Sequence, residues 1–181
     1  MKLLIKSVLV LFLFISFSNS EEANNTTSKQ FEDWQLICKE VEKKERCEVS
    51  QLITIEENKL QFKIMYQILK DEKTKKKFDA FTIITPLGVN LTEKAAILFP
   101  DTEEQINLSF MKCEVFGCIL TLNNFDQNSK EVFDFLKKKL LSSEQFTLGF
   151  GVFNEKPVLI SSSLKGFKNS VKQLREKAKK I

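Results

Sequence analysis

Four cysteines in two close pairs constrain this chain more than any other feature. Cys38 and Cys47 stand nine positions apart, Cys113 and Cys118 only five. Three pairings are possible on paper. Each close pair, however, brackets a candidate hairpin, and opposed residues of antiparallel strands lie about 4.5–5.5 Å apart at Cα, within disulfide reach. Local pairing is therefore favoured: Cys38 with Cys47, and Cys113 with Cys118 across a tight loop from Glu114 to Gly117. Gly117 can supply the positive φ that such a loop often needs. A chain tied at two short hairpins is a chain of strands and turns.

The thiols are expected to be oxidised because the chain opens like an exported one. Lys2 and Lys6 precede an apolar run from Val8 to Phe17, and Ser18-Asn19-Ser20 supplies small residues before a cut at Glu21. The apolar run falls short of the roughly 20 residues that cross a bilayer, so residues 1–20 read as a signal peptide. Residues 21–30 are polar and read as a flexible tail. Residues 31–181 are long enough for one domain with its own core. The net charge of +4 counts Lys2 and Lys6, which the cut removes, and is too weak to indicate a nucleic-acid partner.

The chain contains no histidine. That excludes Ser-His-Asp and Cys-His nucleophiles and histidine-ligated metal or haem. A zinc knuckle would need closer cysteines than Cys38 and Cys47, and a thiol redox site would need Cys-x-x-Cys at a helix start. No catalytic residue, cofactor or metal is expected.

Period-two alternation dominates from Trp34 onward. Trp34, Leu36 and Cys38 alternate with polar neighbours, as do Cys47, Val49 and Gln51 in a strand continuing to Ile55. Leu60 to Ile68 and Phe78 to Thr85 give two more strands around a charged turn, Asp71 to Lys77. Ala95 to Phe99 is a short apolar piece. Ile106, Leu108 and Phe110 alternate into Cys113 as one strand, and Cys118 opens Ile119 to Leu122. Phe146 to Val152 and Pro157 to Ile160 follow. Two stretches carry helical spacing instead: Phe133, Leu136 and Leu140 after a cap at Asn128-Ser129, and Leu164, Phe167, Val171, Leu174 and Ala178. The pattern predicts an all-β, antiparallel β-sandwich with one or two peripheral helices. The 17 phenylalanines are expected to fill its core; a Phe-lined cavity carrying small apolar ligands is the alternative.

Among candidate sites, Gly149-Phe150-Gly151 lacks the third glycine and helix of a nucleotide loop, and close packing is expected there. Asp101, Glu103 and Glu104 lack the spacing of a calcium loop and read as a solvated turn. The C-terminal helix is more suggestive. Its apolar stripe would dock on the sandwich while Lys165, Lys168, Lys172 and Arg175 face out, a candidate surface for anionic lipid or an acidic partner.

Taken in order, Phe31-x-x-Trp34-x-x-x-Cys38, then Cys47 and Gln51, resemble the invasion-associated locus B (IalB) family of exported bacterial proteins. Pro86-Leu87-Gly88-Val89-Asn90-Leu91, Cys113-x-x-x-Gly117-Cys118, Pro157-Val158 and Ser163-Leu164-Lys165-Gly166-Phe167 continue the match. The resemblance implies an immunoglobulin-like sandwich in the periplasm or at the outer membrane of an alphaproteobacterium. It also implies a non-enzymatic role, linked in pathogens to host-cell invasion. The expected partner is another envelope protein or an anionic membrane surface. The resemblance transfers no catalytic residue.

Overall fold

The computed structural model describes residues 26–42, 44–55, 60–153 and 156–179. The expected signal peptide, residues 1–20, lies outside them, as do residues 21–25 of the expected tail. The rest of that tail is a strand: β1 (Thr26–Phe31) pairs with β2 (Trp34–Val41) from Thr26↔Lys39 to Phe31↔Trp34. Polarity did not prevent pairing, because β1 is an edge strand in which only Phe31 is even half-buried. Its threonines suit a pleated surface that faces water.

The alternating segments continue as a meander through β3 (Lys44–Ile55), β4 (Leu60–Lys70) and β5 (Lys77–Thr85). Asp71 shapes the turn between β4 and β5. Its carboxylate accepts from the Thr74 N–H at 2.6 Å and hydroxyl at 2.7 Å, and these bonds hold its pKa below the usual carboxylate range. Beyond β5 come β6 (Ala95–Leu98), β7 (Gln105–Leu108), β8 (Phe110–Glu114), β9 (Gly117–Asn123), α1 (Gln127–Ser142), β10 (Gln145–Phe150), β11 (Val158–Ser163) and α2 (Phe167–Ala178).

Two antiparallel sheets result. The large one runs β1-β2-β3-β4-β5-β9-β8, and the small one β11-β10-β6-β7. Inward positions of the large sheet follow the alternation: Trp34, Leu36, Val49, Phe62, Ile64, Tyr66, Phe81, Ile83 and Leu120 are buried. The small sheet covers part of this face. Phe62 meets Phe150 at 5.8 Å between ring centroids, and Phe146 meets Phe81 at 6.1 Å and Phe99 at 6.0 Å. The two helices cover the rest, with α2 lying across β1 to β4 and α1 beside β9 and α2. The buried phenylalanines thus pack ring against ring, whereas Phe116, Phe125 and Phe153 lie exposed outside the core. The concavities beside β2 and β3 are lined by polar groups such as Gln30, Gln35, Lys39 and Arg46, with no phenylalanine.

Two local expectations need correction. Ile106 to Cys113 is not one strand. Ile106 and Leu108 bury into the small sheet, the chain leaves it at Ser109, and Phe110 pairs with Leu120 in the large sheet. A register shift between Phe110 and Lys112 then interrupts the pairing of β8 with β9 just after the crossing. Alternation reports which residues point inward but not which sheet they belong to. The cap of α1 is Asp126 rather than Asn128-Ser129: its carboxylate accepts from the Asn128 N–H at 3.2 Å. Ser129 instead sends its hydroxyl to the Asn123 carbonyl at 2.8 Å.

Candidate functional site: a basic helix and its clasp

The turn from β11 into α2 is where the chain is tied most tightly. Trp34 donates its indole N–H to the Ser163 carbonyl at 2.8 Å, and its ring packs edge-on against Phe167 at 4.7 Å. Gln51 donates to the same carbonyl at 3.4 Å and accepts from the Ser162 hydroxyl at 2.6 Å. Gly166 begins the helix at φ 83°, and a Cβ there would lie 1.9 Å from the Phe31 carbonyl oxygen. Only glycine meets both demands. The scattered residues Phe31, Trp34, Gln51, Ser163, Gly166 and Phe167 therefore form one knot between β1–β3 and the start of α2.

A second fastening holds the far end of the helix. Asp79 sits at an inward position of β5 with a side chain 13% exposed. Its Oδ2 accepts from the Tyr66 hydroxyl at 2.7 Å and from Lys137 Nζ of α1 at 2.6 Å, and pairs with Arg175 of α2 at 3.5 Å. One carboxylate thus joins two strands to two helices. Burial, and then the neighbouring Asp79 carboxylate, push the Tyr66 phenol well above its ordinary pKa. The C-terminus of α2 is closed by Lys77, whose Nζ donates to the Ala178 carbonyl at 2.5 Å.

These fastenings divide the cations of α2. Phe167, Val171, Leu174 and Ala178 are buried as a stripe, together with Ser170, whose hydroxyl bonds back to the Phe167 carbonyl at 2.7 Å. Lys165, Lys168 and Lys172 are exposed, with no acidic partner among the described residues. Arg175 is not free in the same way, because it faces Asp79. Lys177 pairs with Glu45 at 3.0 Å and Lys179 with Glu176 at 2.9 Å. The anionic-surface candidate is left with three lysines, Lys165 in the turn before α2 and Lys168 and Lys172 on the helix.

The cysteines are bonded Cys38 to Cys47 and Cys113 to Cys118. Glu45 lies within 4.8 Å of the Cys38 and Cys47 sulfurs, but those sulfurs are bonded to each other and Glu45 holds Lys177. Asp101 is engaged by Lys139 of α1 at 3.0 Å, which lowers its pKa and makes it a strut rather than a cation ligand. The Gly149–Gly151 stretch is a close approach: a Cβ at 151 would lie 2.1 Å from a Glu93 carboxylate oxygen.

Sequence reading missed the Asp79 clasp, although a signal was present. Asp79 shares its strand parity with the buried Phe81, Ile83 and Thr85, so an acid was pointing into the core. It needed partners there, and only the fold could supply them from residues 66, 137 and 175.

No curated protein matches the chain. The crystal structure of invasion associated protein B from Bartonella henselae superimposes with a TM-score of 0.64 at 16% identity, covering 85% of this chain and 98% of that one. The likeness establishes the shared fold. The family model for invasion associated locus B (IalB) protein matches residues 34–175, a span that runs from the Trp34 indole to the Arg175 arm of the clasp. This chain belongs to the IalB family.

Proposed function

We propose that this protein is exported to the bacterial envelope, periplasmic or at the outer membrane, and works there by binding rather than by catalysis. The partly buried ionisable cluster supports a non-enzymatic reading: Asp79 is engaged by Tyr66, Lys137 and Arg175 in holding the helices. The observation that carries the binding role is the start of α2, where Lys165 in the turn before the helix and Lys168 and Lys172 on it stand exposed without acidic partners among the described residues. Such a face attracts anionic headgroups or an acidic envelope protein. A relative of the same fold is described as invasion associated. A general envelope role accounts for the same features without a host.

The test is a triple variant, Lys165→Glu, Lys168→Glu and Lys172→Glu. At low salt its association with isolated envelopes should fall about tenfold to a hundredfold, since each basic residue near an anionic surface contributes on the order of 1 kcal/mol. The difference should shrink toward 1 M salt, where the screening length is about 3 Å. Association that is unchanged at every salt concentration would remove α2 from the account.

A further inference from the structure

The end of the molecule where β5 gives way to Pro86 is apolar in a way that no packing requirement explains. The hairpin joining β8 to β9 turns on Val115 and Phe116, between the paired residues Glu114 and Gly117. Two-residue hairpin turns select Asn-Gly, Asp-Gly or Gly-X. Here two large apolar side chains occupy the turn and stand 95% and 64% exposed. Gly117 takes the positive φ, 142°, that makes this possible, and the Cys113–Cys118 disulfide closes the base of the turn.

Neighbouring loops continue the surface. Gly117 lies against the Thr85 carbonyl, where a Cβ would come within 2.3 Å of the oxygen, so the turn sits beside the segment that starts at Pro86. That segment carries Leu87 and Leu91, 58% and 52% exposed. It is zipped to the loop after β10 by an Asn90 N–H to Gly151 carbonyl bond and a Phe153 N–H to Gly88 carbonyl bond. Phe153 is 64% exposed. Three loops thus present Leu87, Leu91, Val115, Phe116 and Phe153 at one end.

We propose that this end is a tip that inserts into the interfacial layer of a lipid bilayer. The surface is built from projecting turns, and the hairpin backbone is paired at its base, as lipid contact requires. Around it, Lys94 and Lys156 are exposed without described acidic partners, while Glu114 is paired with Lys112 at 2.7 Å and the Glu93 carboxylate accepts from the Asn90 side-chain amide at 2.8 Å. The unpaired cations complement anionic headgroups, and lysine stems can lie along the apolar layer. The inference rests on the envelope reading only in that a bilayer must be within reach, and it makes no use of α2.

The experiment measures co-sedimentation of the protein, as the cell processes it, with vesicles of phosphatidylcholine alone and of phosphatidylcholine with phosphatidylglycerol. Binding to both is expected, tighter to the anionic vesicles. Val115→Ser with Phe116→Ser should weaken partitioning about tenfold or more on both, since the loss is apolar area. Leu87→Ser with Phe153→Ser should act in the same direction, and both pairs are exposed enough to leave the melting temperature unchanged. In a Phe116→Trp variant the new indole should shift its emission to the blue on vesicles, against the buried Trp34 as a constant background. Absence of vesicle binding by the wild type would overturn the proposal and assign the tip to a protein contact. Undiminished binding by both tip variants would overturn it too. If the α2 triple variant alone lost binding in that case, the helix reading would stand while this one fell.

Discussion

The two disulfide hairpins have the same chemistry and nearly the same span, 4.0 Å and 3.9 Å between Cα atoms, but opposite surroundings. Cys38 and Cys47 are both buried, on the face that α2 covers and beside the Lys177–Glu45 pair. Cys118 is buried as well, yet Cys113 is exposed and the turn it closes is apolar and solvent-facing. One staple fastens an interior, while the other shapes a surface. The same distinction separates the two ends of the molecule. The end at Asp71 is closed by helices and an ionic clasp, and the end at Pro86 is open and apolar.

Removing each staple tests this contrast most severely. Chain entropy alone gives nearly equal losses, about 2–3 kcal/mol for the first and about 2 for the second, because both loops are short. Burial should separate them. Cys38→Ala with Cys47→Ala is expected to cost about 3–4 kcal/mol, as packing beneath α2 is lost along with the crosslink. Cys113→Ala with Cys118→Ala should stay near the entropic figure of about 2 kcal/mol. Urea unfolding of both variants measures the difference, and equal losses would mean that surroundings add nothing to either staple.

The clasp gives the next largest effect. Asp79→Ala leaves Lys137 and Tyr66 without their shared acceptor in a half-buried site, and should cost about 2–3 kcal/mol. Lys137 is partly exposed and can reach water, which keeps the figure below that of a sealed ion pair. Hydrogen exchange should show where the loss falls: amides of α1 and α2 should exchange faster while those of β8 and of Gly117 to Ile119 at the start of β9 keep their protection. Faster exchange at both ends alike would dissolve the distinction between them.

How much of this was legible beforehand follows from what alternation encodes. Trp34, Leu36 and Cys38 declared their inward face by spacing alone, and the stripe Leu164, Phe167, Val171, Leu174 did the same for α2. The cysteine pairs were readable because both lie within single hairpins, where local geometry decides the pairing. The break at Ser109 was not readable, since a strand that changes sheets keeps its alternation. Nor was the loss of Arg175 from the cationic face, because its partner Asp79 is 96 positions away in the chain. β1 was missed for a third reason: an edge strand needs a neighbour with free N–H and C=O groups, not an apolar side of its own.

The smallest effect isolates the clasp from the staples by pH. Tyr66 is the only tyrosine in the chain, so its ionisation can be followed without overlap. Tyr66→Phe removes one hydrogen bond to Asp79, which keeps Lys137 and Arg175, and should cost about 1 kcal/mol at neutral pH. The folded protein raises the pKa of this phenol above its unfolded value. A raised pKa means that stabilisation is fully present below the unfolded value and is lost as pH rises above about 10. The wild type should therefore lose stability above pH 10 through Tyr66 while the phenylalanine variant does not, so that the gap between them closes as pH climbs. Phenolate absorbance should appear together with unfolding rather than ahead of it. A gap that stays constant to pH 11, or a tyrosine that ionises in the folded chain, would show that the Asp71 end is open to water and that the two ends differ less than their surfaces suggest.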